Sequence, residues 1–383
     1  MTKKILIFSL AYYPRHVSGA EAAIKEITDR IDPSDIEFHM VTLRFDAADA
    51  ASERVGRVSV HRVGSGSYLG KVLFPLSAAL KARALHQTLR FDALWAMMTY
   101  MLLPTMLAKM LGVRVPHILT LQDGDPYEKV FGRLRVKPFL PLIDRGFRTA
   151  GVVQAISRYL AGWPARRGSG APVELVYNGA NPRDLADAVP EAEVEGVRRA
   201  LGKKEGDIFL VNTSRLVHQK GNDTTIRALP LLPPHVKLAL VGGGEDEAML
   251  RNLARELGVE NRVIFIGQVD RRAVSAYRRA CDIFVAPSRS EGLGNAFLSA
   301  LASRLPLVTS GVGGIADYAV EGETAWLVPA DDPASLAEKI KEVIGNPQKA
   351  RALSQRARAM VEERYDWDKI VRHMRQRVFA KVL

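Results

Sequence analysis

Short apolar runs rich in valine and isoleucine alternate with longer amphipathic stretches along the whole sequence. This alternation is typical of parallel β-strands joined by crossover helices. The apolar runs are almost continuous, which indicates sheets covered by helices on both faces. We therefore predict an α/β fold with strands near 4–9, 38–43, 58–63, 93–98, 117–121, 152–156, 173–177, 208–213, 236–241, 263–267, 283–286, 306–309 and 326–328.

A cluster of Gly, Pro and Asn residues between Asn178 and Asp184 separates the two groups of strands. Such residues end secondary structure elements and are common in connections. A length of 383 residues also favours two domains over one. We predict two Rossmann-like, doubly wound parallel-sheet domains at 1–180 and 181–365, which face a central cleft. A C-terminal helix at 366–383 is expected to pack back on the first domain.

Positive charge is concentrated in the first half of the chain. The net charge is +12, and residues 1–180 hold 24 Lys and Arg against 15 Asp and Glu. Such a field attracts a phosphorylated ligand, an anionic membrane or nucleic acid. The basic residues of Arg133–Arg148 are interleaved with apolar ones, without an RNA-binding aromatic motif or zinc spacing, which argues against nucleic acid. Contact with an anionic membrane and an ordinary solvated helix face remain as interpretations.

The sequence also bears on the compartment. It has no run of about 18 uncharged apolar residues, and Ile5–Phe8 is too short for the core of a signal peptide. Cys281 is the single cysteine, so an internal disulfide framework is excluded and a reducing compartment is favoured. We expect a cytoplasmic protein, with peripheral contact at the inner face of the membrane as a second expectation.

The segment Asn212–Gly221 follows a predicted strand and precedes a predicted helix. Arg215 can make a bidentate contact with phosphate, and Lys220 adds a point charge near the same anion. Together they would clamp a diphosphate. An Arg and a Lys in a loop are more often plain surface charge, so the position between strand and helix is what favours binding.

Glycine-rich segments follow several other strands. In Ser288–Asn295, glycines let backbone amides approach an anion, and Glu291 can accept hydrogen bonds from sugar hydroxyls. The alternative is an ordinary strand-to-helix turn. Gly311–Ile315 and Ser18–Glu21 are weaker candidates of the same kind, and a tight turn explains Gly242–Glu245 at least as well.

The order of these elements resembles the retaining glycosyltransferase family 4, which has the GT-B fold, over essentially the whole chain. The matching segments, in the family's order, are Ser18–Glu21, Ala155–Ser157, Tyr177–Gly179, Ser214–Leu216 with Lys220–Gly221, Val241–Gly244, Pro287–Ser288 with Glu291–Gly294, and Gly313–Gly314. The resemblance implies transfer of a sugar from a UDP- or GDP-linked donor to a glycan, lipid-linked or small-molecule acceptor. It implies neither a metal nor a cofactor.

Roles follow from the resemblance residue by residue. Arg215 and Lys220 match the pair that binds the donor diphosphate, and Glu291 matches the first acid of the Glu-x7-Glu motif that contacts the transferred sugar. We take these three as the catalytic candidates. The residues implied to lie around the donor are Gly19, Gln122, Gly267, Gln268, Val269, Leu293, Gly294, Asn295 and Ser299.

The chain departs from the family pattern at two positions. Ser299 stands where the second acid of Glu-x7-Glu would fall, so the usual carboxylate contact with the ribose hydroxyls becomes at most one neutral hydrogen bond. Gln122 stands where the family commonly has a histidine, and an amide cannot titrate. The mechanism usually proposed for the family needs no such base, because the leaving phosphate oxygen assists deprotonation of the acceptor.

These departures leave two alternatives open. A non-catalytic nucleotide-sugar binding protein would explain the loss of the acid at position 299. A sugar-nucleotide epimerase of the same fold is the other, although it would need acid and base side chains that Gln122 does not supply. The eight histidines show no metal-ligand spacing, and Asp123–Asp125 has the outline of a metal-binding DxD motif only in the first domain. We predict no metal site.

Overall fold

A computed structural model describes residues 2–15, 17–185 and 187–383. The chain forms two compact units: unit 1 comprises Met1–Asn178 with Trp367–Leu383, and unit 2 comprises Gly179–Asp366. The strands are β1 Lys3–Phe8, β2 Ile36–Leu43, β3 Ser52–Val55, β4 Val58–Val63, β5 Ala93–Met97, β6 His117–Leu121, β7 Val152–Ala155, β8 Val173–Leu175, β9 Ile208–Asn212, β10 Val236–Val241, β11 Val263–Gly267, β12 Ile283–Ala286, β13 Leu307–Thr309 and β14 Trp326–Leu327.

The helices occupy the stretches between these strands and after β14, as the amphipathic pattern predicts. They are α1 Gly19–Thr28, α2 Tyr68–Leu89, α3 Leu102–Met110, α4 Tyr127–Gly132, α5 Leu140–Arg148, α6 Arg158–Ala161, α7 Trp163–Arg166, α8 Pro182–Leu185, α9 Glu191–Ala200, α10 Asn222–Ala228, α11 Glu247–Glu256, α12 Arg271–Ala280, α13 Asn295–Ala302, α14 Pro333–Gly345, α15 Pro347–Arg364 and α16 Trp367–His373.

The sheet of unit 1 has the order β3-β4-β2-β1-β5-β6-β7-β8. Its strands pair in parallel except for β3, which pairs antiparallel with β4 at the edge. The sequence pattern missed β3. Its four residues, Ser52–Val55, are exposed or half-buried, so they carry no apolar run that could signal a strand.

The sheet of unit 2 has the order β11-β10-β9-β12-β13-β14, and its strands pair in parallel. In chain order this is the 3-2-1-4-5-6 arrangement of a doubly wound Rossmann sheet. The order reverses between β9 and β12. Loops that leave the carboxyl ends of these two strands therefore diverge to opposite faces of the sheet and open a crevice.

The central strand β1 is buried on both faces of the unit 1 sheet, and Ile5–Phe8 has no exposed surface. On one face, Ile5 and Ile7 belong to a core that α1 and the C-terminal segment complete. The ring of Phe379 lies 5.3 Å from that of Trp95 and 6.0 Å from that of Phe38. Helices α2, α3 and α5 form a second layer, in which α3 packs between the other two.

Candidate active site

The loops after β9 and β12 hold the three sequence-predicted catalytic residues. Arg215 and Lys220 lie between β9 and α10, and Glu291 lies between β12 and α13. These loops leave the sheet at the point where its strand order reverses, which is where ligands bind in open α/β sheets. The predicted residues thus share one edge of unit 2.

Lys220 and Glu291 form an ion pair across the two loops. The Lys220 Nζ lies 2.5 Å from Glu291 Oε1, and the two side chains are 15% and 6% exposed. The Ser288 hydroxyl donates to the same carboxylate oxygen at 3.3 Å. Because the pair is largely removed from water, its charges act at a lower effective dielectric than surface charges do. The contacts fix the position of the Glu291 carboxylate.

Arg215 differs from Lys220 in its surroundings. Its side chain is exposed, and within the described residues its guanidinium has no carboxylate partner within 4.0 Å. Three other cations of this unit, Lys203, Lys237 and Arg278, are each paired with an aspartate. Arg215 is therefore a cation that can turn to an incoming anion without breaking an ion pair.

Arg289 holds the two loops together, a role that the sequence pattern did not reveal. Its backbone amide donates to the Gln219 carbonyl at 2.7 Å, and its guanidinium donates to the His218 carbonyl at 2.6 Å. It also reaches both carboxylate oxygens of Asp223, at 2.9 and 2.8 Å. Burial acts to raise the pKa of Asp223, but the bond and charge of Arg289 outweigh it and hold that pKa below its ordinary value.

Glycine is required where the loops approach each other. Gly221 has φ +65, and a Cβ there would collide with the carbonyl oxygen of Pro287. Gly313, in the loop after β13, has φ +57, and a Cβ there would collide with the carbonyl oxygen of Glu291. The Gly314 amide donates to that same carbonyl at 3.0 Å. An amide that was a candidate phosphate donor is thus engaged in positioning Glu291.

The other predicted donor residues of unit 2 lie along the same edge. Leu293 is buried and its carbonyl accepts from the Tyr318 hydroxyl at 2.7 Å, while Gly294, with φ +84, caps α13 at Asn295. Gly267 ends β11 and its carbonyl accepts from the Gly242 amide at 2.9 Å. The next residues, exposed Gln268 and half-buried Val269, follow it in the loop toward α12.

Ser299 lies inside α13 and is 5% exposed. Its hydroxyl oxygen accepts a hydrogen bond from the Asn181 backbone amide at 3.1 Å. The hydroxyl proton remains available for one donated bond. The structure therefore gives Ser299 a partner in its own unit that the sequence pattern did not indicate.

Two predicted residues belong to unit 1. Gly19 opens α1, where the Ser18 amide and hydroxyl both donate to the Glu21 carboxylate, at 2.7 and 2.5 Å. Gln122 follows β6 and is 9% exposed. Its amide makes a two-way pair with Asn178: the Asn178 Nδ2 donates to Oε1 at 2.9 Å, and Nε2 donates back at 3.4 Å. Gln122 thus fixes the side chain of Asn178.

Asp123 is a buried carboxyl group beside Gln122. It is 2% exposed and accepts from the Thr99 amide at 3.3 Å and from the Thr99 hydroxyl at 2.9 Å. Burial raises the pKa of Asp123 to about 6, although the bonds from Thr99 act in the opposite direction. Asp125 instead pairs with Lys129 and Arg133 at 2.9 and 2.5 Å. The two acids of the Asp-Gly-Asp segment therefore have separate partners.

Among residues 2–15, 17–185 and 187–383, no three His, Cys, Asp or Glu side chains are grouped so that they could hold a metal ion. Within the same residues, no helix combines the length and the apolar character that crossing a bilayer requires.

Each half of the chain matches the model of a known glycosyltransferase family. The family model described as glycosyl transferases group 1 matches residues 194–360. The model described as a glycosyl transferase 4-like domain matches residues 18–179. The two matches together span most of units 1 and 2.

Curated relatives agree with this assignment. One relative is a GDP-mannose-dependent monoacylated alpha-(1-6)-phosphatidylinositol monomannoside mannosyltransferase of Corynebacterium glutamicum. The two sequences are 30% identical over 244 residues, and the match covers 60% of this chain and 63% of the relative. It is 24% identical to an uncharacterized glycosyltransferase of Methanocaldococcus jannaschii over 97% of both chains. With several relatives, the match spans between about half and two thirds of the relative's length.

Solved structures show the fold. Anabaena HepE in complex with UDP-glucose matches 98% of this chain with a TM-score of 0.81 at 22% identity, and 99% of that chain is covered. A sucrose-phosphate synthase of Thermosynechococcus elongatus matches 98% of both chains with a TM-score of 0.83 at 21% identity. The predicted GT-B fold, with its two parallel-sheet α/β domains, is confirmed, and the chain belongs to the group 1 glycosyltransferases.

Proposed function

We propose that this protein is a retaining, metal-independent glycosyltransferase that moves a sugar from a nucleoside diphosphate donor to an acceptor. The observation that carries the proposal is the pairing of Lys220 with Glu291 at the edge where the unit 2 sheet reverses its strand order. Arg215 lies in the same loop as Lys220 and has no carboxylate partner among the described residues. This arrangement supplies both cations for a diphosphate and a carboxylate for sugar hydroxyls.

In the proposed complex, the donor diphosphate lies against Arg215 and Lys220. Lys220 has three donors, so it can bind a phosphate oxygen while it keeps its bond to Glu291. As the bond between the sugar and the phosphate breaks, negative charge grows on the phosphate, and two cations already in place stabilise it. These side chains supply the charge that a metal ion would otherwise provide, which supports metal independence.

Glu291 would then orient the transferred sugar. Its carboxylate is held by Lys220 and Ser288, and its carbonyl is held by Gly314. A carboxylate fixed in this way accepts bonds from sugar hydroxyls at low entropic cost. The nucleobase would lie near Gly267–Val269, and the Ser299 hydroxyl would donate one bond to the ribose.

Retention of anomeric configuration follows in this scheme from attack on the face that the phosphate leaves. The departing phosphate oxygen takes the acceptor proton, so Gln122 need not act as a base. The donor nucleobase stays open between uridine and guanosine, since one relative is GDP-mannose-dependent and one solved neighbour holds UDP-glucose. We propose a glycan, lipid-linked or small-molecule acceptor and no further cofactor.

We propose a cytoplasmic location, with peripheral binding to the inner face of an anionic membrane. In the Arg133–Arg148 segment, Arg133 pairs with Asp125, whereas Leu134 and Phe139 are 80% and 50% exposed. Exposed apolar side chains among cations support membrane contact over a purely solvated helix face.

A panel of nucleotide sugars tests the proposed reaction. We expect UDP or GDP to raise the melting temperature, and the matching nucleotide sugar to be hydrolysed slowly without acceptor, with unchanged rates in chelator. Stabilisation without any turnover would favour the nucleotide-sugar binding protein, and release of an epimerised sugar nucleotide would favour the epimerase. Nuclear magnetic resonance of the product tests retention, because an inverted anomeric centre would contradict it.

A further inference from the structure

Helix α2 carries a stripe of apolar side chains that the fold leaves uncovered. Leu69, Leu73, Leu76 and Leu80 are 63%, 49%, 49% and 51% exposed. Their spacing of four, three and four residues places them along one face of the helix. Single exposed apolar residues are ordinary, but a continuous row of them marks an interaction surface.

Two further exposed apolar side chains lie at the start of the stripe. Tyr68 and Val72 are 81% and 56% exposed. The opposite side of α2 is fixed to unit 1, because Phe74, Ala78, Ala79 and Ala82 are buried. The helix is therefore anchored on the protein while its leucines face outward.

The charge around the stripe indicates what covers it. Helix α2 contains three Lys and Arg and no Asp or Glu. Lys71 lies 5.8 Å over the ring of Phe45, on the helix face away from the leucines. Within the described residues, Lys81 and Arg83 have no carboxylate within 4.0 Å, and Arg83, three residues after Leu80, lies beside the leucine stripe. An apolar stripe flanked by cations, with no acid on the same helix, is complementary to an anionic lipid surface. A second copy of this chain would bring the same uncompensated positive charge against itself.

We propose that α2 lies on an anionic bilayer with its leucine stripe among the acyl chains and Lys81 and Arg83 at the headgroups. The proposal rests on the membrane contact proposed above but not on the transfer reaction. It makes α2 the part that enters the bilayer and the Arg133–Arg148 segment a flanking contact. Its affinity should fall as salt rises, because headgroup attraction is screened while apolar burial is not.

The tryptophans of the chain make insertion directly observable. All four, Trp95, Trp163, Trp326 and Trp367, are buried. A Tyr68→Trp variant therefore adds one exposed reporter at the start of the stripe. We expect its emission to shift to the blue with vesicles of phosphatidylglycerol and phosphatidylcholine, and not with phosphatidylcholine alone.

The decisive variant is Leu69→Ser/Leu73→Ser/Leu76→Ser in the full chain. We expect it to weaken flotation with the anionic vesicles by at least ~tenfold, because each exposed leucine contributes apolar burial. The matched control is Leu231→Ser/Met249→Ser in unit 2, whose side chains are 49% and 44% exposed, and it should bind as the parent does. Both variants should keep the parental melting temperature and its rise with nucleoside diphosphate. If the nucleoside diphosphate does not stabilise the parent either, the proposed donor site fails, but the test of membrane binding is unaffected.

Three results would overturn the proposal. The triple variant could float with vesicles as the parent does. Leu134→Ser/Phe139→Ser could abolish binding while the triple variant keeps it. Light scattering without lipid could show a dimer that the triple variant loses, with no vesicle binding by the parent, which would assign the stripe to a second copy of the chain.

Discussion

The carboxyl edges of the two sheets hold their polar groups in different ways. In unit 2, Lys220 and Glu291 pair at the edge and Arg215 stands unpaired among the described residues. In unit 1, Gln122 is paired with Asn178, and Asp123 is buried against Thr99. One edge keeps charge that a ligand can reach, whereas these polar groups of the other satisfy each other. The difference indicates that the edge of unit 2, and not these groups of unit 1, can stabilise a charged ligand.

The largest effect should come from removing the cations of unit 2. We expect Arg215→Ala and Lys220→Ala each to lower turnover by about 30- to 1,000-fold, since each removes roughly 2 to 4 kcal/mol of transition-state stabilisation. The two should differ in stability. Lys220→Ala leaves the buried Glu291 carboxylate uncompensated and should lower the melting temperature, whereas Arg215→Ala should not.

Initial rates with the identified donor and thermal unfolding of the same samples separate these effects. Lys237→Ala is the control, because Lys237 also pairs with an aspartate, Asp207 at 2.8 Å, but at the opposite end of the strands. It should lose stability and keep its turnover. Parental rates in both site variants would show that the diphosphate lies elsewhere.

The second effect concerns the buried carboxyl group of Asp123 at the edge of unit 1. Because the pKa of Asp123 is about 6 in the folded chain and near 4 when unfolded, the folded chain binds more protons between these values. Asp123 therefore contributes a fall of roughly 2 to 3 kcal/mol in the free energy of unfolding as pH rises through this window. His61 and His117 act in the opposite direction there, because burial lowers the pKa of each to about 4. Denaturant titrations of the parent and of Asp123→Asn isolate the contribution of Asp123, and the stability of the parent relative to the variant should fall between pH 4 and 6.

An exposed carboxylate provides the comparison for that measurement. Asp46→Asn changes a side chain that is 46% exposed and pairs with Arg15, so the stability difference between it and the parent should stay nearly constant between pH 4 and 6. If the difference between the parent and Asp123→Asn is also constant, Asp123 is not a group that titrates in this window.

The third effect concerns the loop contacts of unit 2. Gly313→Ala places a Cβ against the Glu291 carbonyl oxygen at a positive φ, so we expect a loss of about 1 to 3 kcal/mol in the free energy of unfolding. Donor binding should weaken as Glu291 moves. Gly243→Ala lies on the same edge with open space around its Cβ, and it should change neither quantity by much. Equal effects of the two substitutions would contradict a specific contact.

The smallest effect is expected at Ser299. Ser299→Ala leaves the Asn181 amide without its acceptor and should cost about 1 kcal/mol of stability. Donor affinity should fall by no more than about fivefold, because one neutral hydrogen bond is lost. Calorimetric titration with the nucleoside diphosphate measures this. A hundredfold loss would mean that Ser299 carries more of the ribose contact than its single free proton allows.

The sequence predicts the features that depend on buried apolar runs and on motif order. Both sheets and the loop positions of Arg215, Lys220 and Glu291 follow from these. It does not predict β3, whose residues are too polar, or the bonds of Arg289, which depend on the spatial approach of two loops. The exposure of the α2 leucines is hidden for the same reason, since an apolar helix face shows in the sequence but its covering partner does not.

The C-terminal segment has a consequence for how the chain is made. Its residues Trp367, Met374 and Phe379 belong to the core of unit 1, although all of unit 2 precedes them in the chain. On the ribosome, the core around β1 stays incomplete until the 188 residues of Gly179–Asp366 have emerged and the C-terminal segment follows them. Unit 2 is continuous in sequence and can close first, which reverses the usual order of N-terminal domains before C-terminal ones.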